Sequence, residues 1–98
     1  MVELETRISV GEDVLFRDVG GEAVLLSLET GKYYGLDEVG TRMWSLLTQH
    51  GRVEAAYHAL LDEYDVSEEQ LRQDLASLVE ALAAHGLLQI DSEARHAA

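Results

Sequence analysis

The side chains that could carry chemistry in this chain are four histidines, nineteen carboxylates and the serines. His50 and His85 each precede a glycine that ends a predicted helix, where an imidazole can bond free carbonyls and complement the negative helix end. His58 falls on a predicted helix and His96 near the C-terminus, so no two histidines have the i, i+4 spacing typical of zinc sites. The pattern therefore predicts capping or surface roles for the histidines and no metal site.

Two common active-site motifs, the nucleophile elbow and the phosphate-binding loop, do not occur in the sequence. Ser27 and Ser45 lack the Gly-x-Ser-x-Gly context of a nucleophile elbow. No glycine is followed by the Lys-Ser/Thr pair of a phosphate-binding loop. Most carboxylates fall on polar helix faces or in turns, as on a solvated surface. We therefore expect no catalytic residue, no bound cofactor and no enzymatic activity from this chain alone.

Composition limits the partners and the location of the protein. The 98 residues suit one domain, which we expect to span residues 1–90, with residues 91–98 as a flexible tail. Seven basic residues against nineteen acidic ones give a formal charge of −12, which repels phosphate backbones, so nucleic-acid binding is not expected. No apolar run approaches the roughly 20 residues of a membrane span. No secretory signal and no cysteine are seen, so we expect a cytoplasmic location without membrane contact.

The first half of the chain has strand patterns. Short apolar stretches at residues 8–10 and 14–16 precede a second strand at 23–28, whose nearly continuous apolar character predicts cover on both faces. A short hairpin loop at 29–31 leads into a third strand at 32–36.

From Asp37 onward the apolar period changes from two to 3.6, which predicts helices. Asp37 is a good N-cap, and Ser67 to Gln70 form a capping-box pattern before the third and longest helix. The three predicted apolar stripes are Val39, Met43, Leu46 and Leu47, with Trp44 beside them; Val53, Tyr57, Leu60, Leu61 and Tyr64; and Leu71, Leu75, Leu78, Val79 and Leu82. A short final strand is expected at 87–90. This order predicts an α+β domain of the winged helix-turn-helix type, in which a three-stranded antiparallel β-meander precedes three α-helices.

Winged helices often bind DNA through the third helix. Here that helix carries Gln70, Arg72 and Gln73 among several acidic residues. Its acidic surface favours a scaffold used for protein binding over a transcriptional regulator.

The third predicted strand lies at a sheet edge if the strands follow meander order. Lys32 could guard this edge, whereas Tyr33, Tyr34 and Gly35 favour a partner, because aromatic rings offer contact area and glycine allows close backbone approach. Tyr34 and Leu36 share one strand face and are expected in the core; which tyrosine would face a partner stays open. A proline at Tyr34 is expected to remove an edge donor and abolish pairing with a partner.

The run from Thr30 to Trp44 (TGKYYGLDEVGTRMW), followed by Tyr64-Asp-Val66, Asp74-Leu75 and Gly86-Leu87, resembles the PqqD-like proteins. These proteins are the recognition elements that bind leader segments of ribosomally synthesised and post-translationally modified peptides (RiPPs). The resemblance covers about residues 10–90. The proline-free Thr-Gly-Lys-Tyr-Tyr form is most similar to the stand-alone leader-binding proteins of lasso-peptide biosynthesis, which hand precursors to a separate leader peptidase and a macrocyclase.

The resemblance implies a binding mode, in which the leader adds as an extra strand beside the third strand and lies against the third helix. The peptide-binding residues it implies are Lys32, Tyr33, Tyr34, Gly35 and Leu36 on the strand, and Leu71, Asp74, Leu75 and Leu78 on the helix. For Asp74 the alternative is an ordinary solvated residue. The implied function is non-catalytic delivery of a precursor to its processing enzymes. Service to a radical-SAM or other RiPP-modifying enzyme is the alternative, and the oligomeric state is open.

Overall fold

The computed structural model describes residues 4–91, which form two small sheets and three helices. The elements are β1 (Arg7–Val10), β2 (Val14–Val19), β3 (Glu22–Ser27), β4 (Tyr33–Gly35), α1 (Glu38–His50), α2 (Val53–Glu63), α3 (Glu68–Ala84) and β5 (Leu88–Asp91). Strands β2, β3 and β4 form an antiparallel meander in that order, and the three helices follow it. The predicted α+β architecture is confirmed.

The second sheet joins the two ends of the described chain. Strand β1 pairs antiparallel with β5, in a register that places Arg7 opposite Asp91. The Ile8 N–H also donates to the Gly51 carbonyl at 3.0 Å, which ties β1 to the end of α1. Asp91, assigned from the sequence to the tail, is therefore the last residue of a strand, and the rest of the predicted tail, residues 92–98, lies outside the described residues.

Helix ends follow the local sequence closely. The Asp37 carboxylate accepts the Gly40 N–H at 2.7 Å, as an N-cap does. The Ser67 hydroxyl accepts the Gln70 N–H at 3.1 Å. The Gln70 side chain, however, donates to the Asp74 carboxylate at 2.9 Å and not back to the cap, so only half of the predicted capping box forms.

The apolar stripes of the helices and one face of the meander form a single core. Trp44, predicted beside the α1 stripe, is buried and stacks on Phe16 with ring centroids 6.1 Å apart. Val39, predicted on that stripe, is exposed in the first turn of α1. The fully buried large side chains are Leu25, Leu47, Val53, Leu60, Leu75, Val79, Leu82, Leu87 and Leu88. None of the helices within residues 4–91 combines the length and apolar character needed to cross a membrane.

The helices cover only one face of the meander. Along β3, Ala23, Leu25 and Ser27 are buried, whereas Val24 and Leu26, which point to the opposite face, are half-buried. The prediction that this strand is covered on both faces is therefore wrong. Its continuous apolar character reflects an apolar outer face with no second layer of described residues over it.

Candidate functional site

Among residues 4–91, strand β4 pairs with β3 on one side only and forms an edge of the meander. At the two ends of this pairing, the Ser27 N–H donates to the Lys32 carbonyl at 3.0 Å and the Leu36 N–H donates to the Ala23 carbonyl at 2.8 Å. Hydrogen-bonding residues alternate along an antiparallel strand. The backbone groups of Tyr34, midway between these two positions, therefore also point toward β3.

The backbone groups of Tyr33 and Gly35 consequently point to the free edge. Their two N–H and two C=O groups have no hydrogen-bond partner among residues 4–91. The space around Gly35 is open, since a Cβ built there meets nothing within 4 Å. The expectation that Tyr34 supplies an edge donor is corrected by this alternation, because its N–H belongs to the ladder with β3. An added strand would use the groups of the residues on either side of it.

The two tyrosines of β4 lie on opposite faces of the sheet. Tyr33 is 72% exposed on the outer face, in register with Leu26. Tyr34 is half-buried on the helix side, in register with the fully buried Leu25. Leu36 is buried in the core, as predicted. An inward-facing side chain of an added strand would therefore lie beside Tyr34.

One ring contact identifies the face of α3 that is turned toward β4. The Tyr34 ring and the His85 imidazole have centroids 4.6 Å apart and planes tilted by 60°. Helical residues seven and eleven positions before His85 lie on the same face, and these are Leu78 and Asp74. Leu78 is half-buried against the core, and Asp74 is exposed and accepts a hydrogen bond from Gln70. We call Asp74, Leu78 and His85 the α3 ridge.

A cleft of about 380 Å³ lies between the turn that precedes β4 and the C-terminal end of α3. The strand side contributes Lys32 and Tyr34, and the helix side contributes Ala83, Ala84 and His85. We call it the β4–α3 cleft. Its lining also includes Ser27 at the end of β3 and Glu29 and Thr30 in the turn, so the cleft lies next to the β3–β4 turn on the helix side of the sheet.

Leu71 and Leu75, also predicted to contact a peptide, do not belong to the α3 ridge. They are 4% and 0% exposed and pack in the core. Of the four predicted helix residues, Leu71 and Leu75 thus lie in the core with almost no surface accessible to a peptide. The other two, Asp74 and Leu78, lie on the α3 ridge. Whether each of them contacts a peptide stays a prediction.

The sequence predicted a capping or surface role for His85, and the residue is exposed but its side chain does not cap α3. The end of α3 is closed by backbone groups, since the N–H groups of His85, Gly86 and Leu87 donate to carbonyls of the last helical turns. The imidazole makes no hydrogen bond among residues 4–91 and packs on Tyr34. No local sequence signal indicates this contact, because the two residues are 51 positions apart.

Thr41 positions β4 relative to the first helix. Its buried hydroxyl accepts the Ala23 N–H at 2.7 Å and donates to the Leu36 carbonyl at 3.3 Å. The hydroxyl thus completes the last pair of the β3–β4 ladder, in which Leu36 donates directly to Ala23. This bridge fixes the end of the edge strand to the helical layer.

The outer face of the meander is apolar and largely exposed. Leu15, Val19 and Tyr33 are 53%, 63% and 72% exposed, and they surround the half-buried Val24 and Leu26. A shallow depression of about 450 Å³ lies on this face, with Arg17 as its charged lining residue. Exposed apolar patches of this kind mark interaction surfaces.

Residues 4–91 hold no group of three or more His, Cys, Asp or Glu side chains placed to bind a metal ion.

A three-stranded antiparallel meander whose edge strand β4 lies beside the third helix is the architecture of a PqqD-like domain. Residues 22–88 match the family model of coenzyme PQQ synthesis protein D (PqqD). The chain therefore belongs to the PqqD family, and the resemblance seen in the sequence is confirmed.

Two solved structures are similar to this chain. The structure of TbiB1 in complex with the TbiA(beta) leader peptide is 40% identical, covers 83% of this chain and 94% of TbiB1, and has a TM-score of 0.79. A lasso peptide synthetase B1 complexed with the leader peptide is 20% identical, covers 85% of this chain and 98% of its own, and has a TM-score of 0.77. The second likeness concerns the fold alone. No curated protein matches the chain.

Proposed function

We propose that this chain is a non-catalytic domain that binds the leader segment of a ribosomally synthesised precursor, a lasso-peptide precursor, by adding it as a strand to β4. The observation that carries the proposal is the set of four free backbone groups on Tyr33 and Gly35 beside the α3 ridge. Support comes from TbiB1, which is 40% identical over most of both chains and was solved with a leader peptide.

Strand addition divides recognition between backbone and side chains. Backbone hydrogen bonds to the edge supply affinity for any extended segment, and alternate side chains supply selectivity. Leader side chains that point inward would meet Tyr34 and the α3 ridge. Those that point outward would extend the apolar outer face next to Tyr33.

The test is a fluorescence titration with the labelled leader of the precursor encoded beside this chain, comparing Tyr33→Pro with Tyr33→Ala. Proline removes one of the two edge N–H donors, whereas alanine keeps the donor and removes only the side chain. A leader carbonyl left unpaired should weaken binding about tenfold or more in the proline variant and less in the alanine variant. Near-UV circular dichroism of the buried Trp44 checks that both variants are folded.

Two results of this titration would count against the proposal. Wild-type protein that shows no saturable binding would remove leader recognition altogether. A folded Tyr33→Pro variant with unchanged affinity would remove strand addition at this edge. Leaders with single backbone esters offer a second measurement, in which affinity losses should recur at every second leader position, because only alternate residues face the β4 edge.

We propose further that the leader peptidase docks on the apolar outer face, and that the macrocyclase receives the cleaved product. The peptidase has to act while the leader is still held, and the outer face is continuous with the β4 edge through Tyr33. Leu15→Glu should leave leader affinity unchanged and slow leader removal. Val66→Glu, at an exposed apolar residue between α2 and α3, is the control and should change neither. Equal cleavage rates in both variants would refute docking on this face.

The alternative, service to a radical-SAM or other modifying enzyme, uses the same edge and differs only in the enzyme served. The matching family model is described as coenzyme PQQ synthesis protein D, which is consistent with this alternative. The fold shared with a lasso peptide synthetase B1 that was solved with its leader peptide favours the lasso pathway. Reconstitution with the purified enzymes of either pathway distinguishes the two, because only the correct one should depend on this chain.

A further inference from the structure

We infer that His85 is a positioning residue for peptide recognition. Its imidazole holds the Tyr34 ring across the β4–α3 cleft, and the pair forms the wall against which one inward-facing side chain of the added strand packs. This inference rests on the proposed function and deepens it, because it assigns selectivity at one leader position to a residue outside the edge strand.

The His85 side chain is not needed to end α3. Gly86 has a φ of 73°, and the backbone N–H groups of residues 85–87 satisfy carbonyls of the last helical turns. The contact between the imidazole and Tyr34, at 4.6 Å and 60°, therefore adds to the packing of the ring against the core and restrains its exposed side. Tilted aromatic pairs at such distances attract each other beyond the effect of burial alone.

Tyr34 depends on this contact because it sits on an edge strand. Its inner-face neighbour on β3 is Leu25, and no strand covers its other side among residues 4–91. An aromatic side chain with one open flank can occupy more than one staggered rotamer. Packing on His85 selects the rotamer that reaches across to α3, so that the wall of the cleft exists before a peptide arrives, which lowers the entropic cost of binding.

The pair favours a particular class of side chain. The leader residue opposite Tyr34 in an added ladder would share its face of the sheet and meet both rings. The charged groups that line the cleft, Glu29 and Lys32, are of opposite sign and therefore favour no net charge there. The leader position opposite Tyr34 should accordingly carry an aromatic or large apolar side chain.

The chain contains a matched control for this histidine. His50 also precedes a helix-ending glycine, Gly51, and is exposed, but it has no ring contact among residues 4–91. The experiment compares His85→Ala, His85→Phe and His50→Ala in titrations with the leader of the neighbouring precursor. Each variant is also melted to check folding.

We expect His85→Ala to weaken binding about three- to tenfold, while His85→Phe, which keeps a ring at the contact, stays within about twofold of wild type. His50→Ala should bind as wild type does. A scan of the leader with alanine adds a readout that a merely structural role would not move. One inward leader position should lose its alanine penalty in the His85→Ala background, and outward positions should keep theirs.

Unchanged affinity in a folded His85→Ala variant would overturn the inference, as would equal losses in the variants of His85 and His50. An alanine penalty that is the same in both backgrounds at every leader position would also overturn it. These outcomes are separate from failure of the proposed function, which would appear as absence of binding by the wild-type protein.

Discussion

Replacing Thr41 with valine removes one hydroxyl from the junction between the edge strand and α1 while keeping the shape of the side chain. In the wild-type protein this hydroxyl accepts a hydrogen bond from the Ala23 N–H at 2.7 Å and donates one to the Leu36 carbonyl at 3.3 Å. Thr41 and Ala23 are 8% and 1% exposed, so water has little access to replace either bond.

The size of the effect follows from what the valine leaves behind. The buried Ala23 N–H would lose its partner, which costs about 1–3 kcal/mol. The longer bond to the Leu36 carbonyl adds about 0.5 kcal/mol, at the low end for a hydrogen bond. We expect Thr41→Val to lower the free energy of unfolding by about 1.5–3.5 kcal/mol, a large fraction of the stability of a small domain. For a domain of this size the melting temperature should fall by roughly 6–28 °C.

The assay is urea unfolding followed by circular dichroism, with Thr48→Val as the matched control. The Thr48 hydroxyl donates to carbonyls within its own helix, those of Trp44 and Ser45. Its loss therefore leaves no buried group without a partner, and stability should change by less than about 0.5 kcal/mol. If the two threonine variants were equally stable, the hydroxyl bridge would not hold the edge strand as argued. Leader affinity of Thr41→Val, measured where it is still folded, should also fall because the end of β4 loses its anchor.

Two further outcomes are expected. The paired hydrogen bonds from Arg42 lower the pKa of Glu63 below its ordinary value of 4.5, so the stabilisation is present above that value and is lost as the pH falls through the lowered pKa. Urea unfolding should therefore find Glu63→Gln less stable than wild type near about pH 7, and the difference should shrink as the pH falls below 4.5. A difference that does not change with pH would contradict the assignment. Leu75→Ala should lower the free energy of unfolding by about 2–5 kcal/mol because it leaves a cavity in the core. Leu78→Ala should weaken leader binding with a smaller loss of stability. Urea unfolding and leader titration of both variants test this, and the reverse pattern would contradict the division of α3 into core and ridge.

Much of the fold could be predicted because its signals are local. The change of apolar period at Asp37 and the cap at Ser67 act within one or two turns of backbone, and the structure has helices that begin at both positions. The meander follows from short turns such as the one at Gly31, which adopts a φ of 74° that favours glycine. Meander order also implied that β4 is an edge strand, and the structure has it there.

Pairings and faces required the tertiary structure. The strand at Arg7–Val10 pairs with the one at Leu88–Asp91, about eighty residues later, and neither segment carries information about the other. An apolar strand such as β3 has the same composition whether a second layer covers its outer face or leaves it bare. The apolar stripe of a helix likewise does not show which of its residues are fully buried. Leu75 lies at the centre of the α3 stripe and Leu78 at its boundary, and the sequence pattern is the same for both.

For the candidate site, the sequence by itself indicated which segment forms the edge, and the family resemblance implied which helix lies near it. The tertiary structure decided that Tyr33 and Gly35, and not Tyr34, offer free backbone groups, and that His85 reaches Tyr34. The physical reason is that local preferences depend on neighbours within a turn, whereas the direction of a hydrogen bond or a side chain at this edge depends on the register with β3 and the packing of α3.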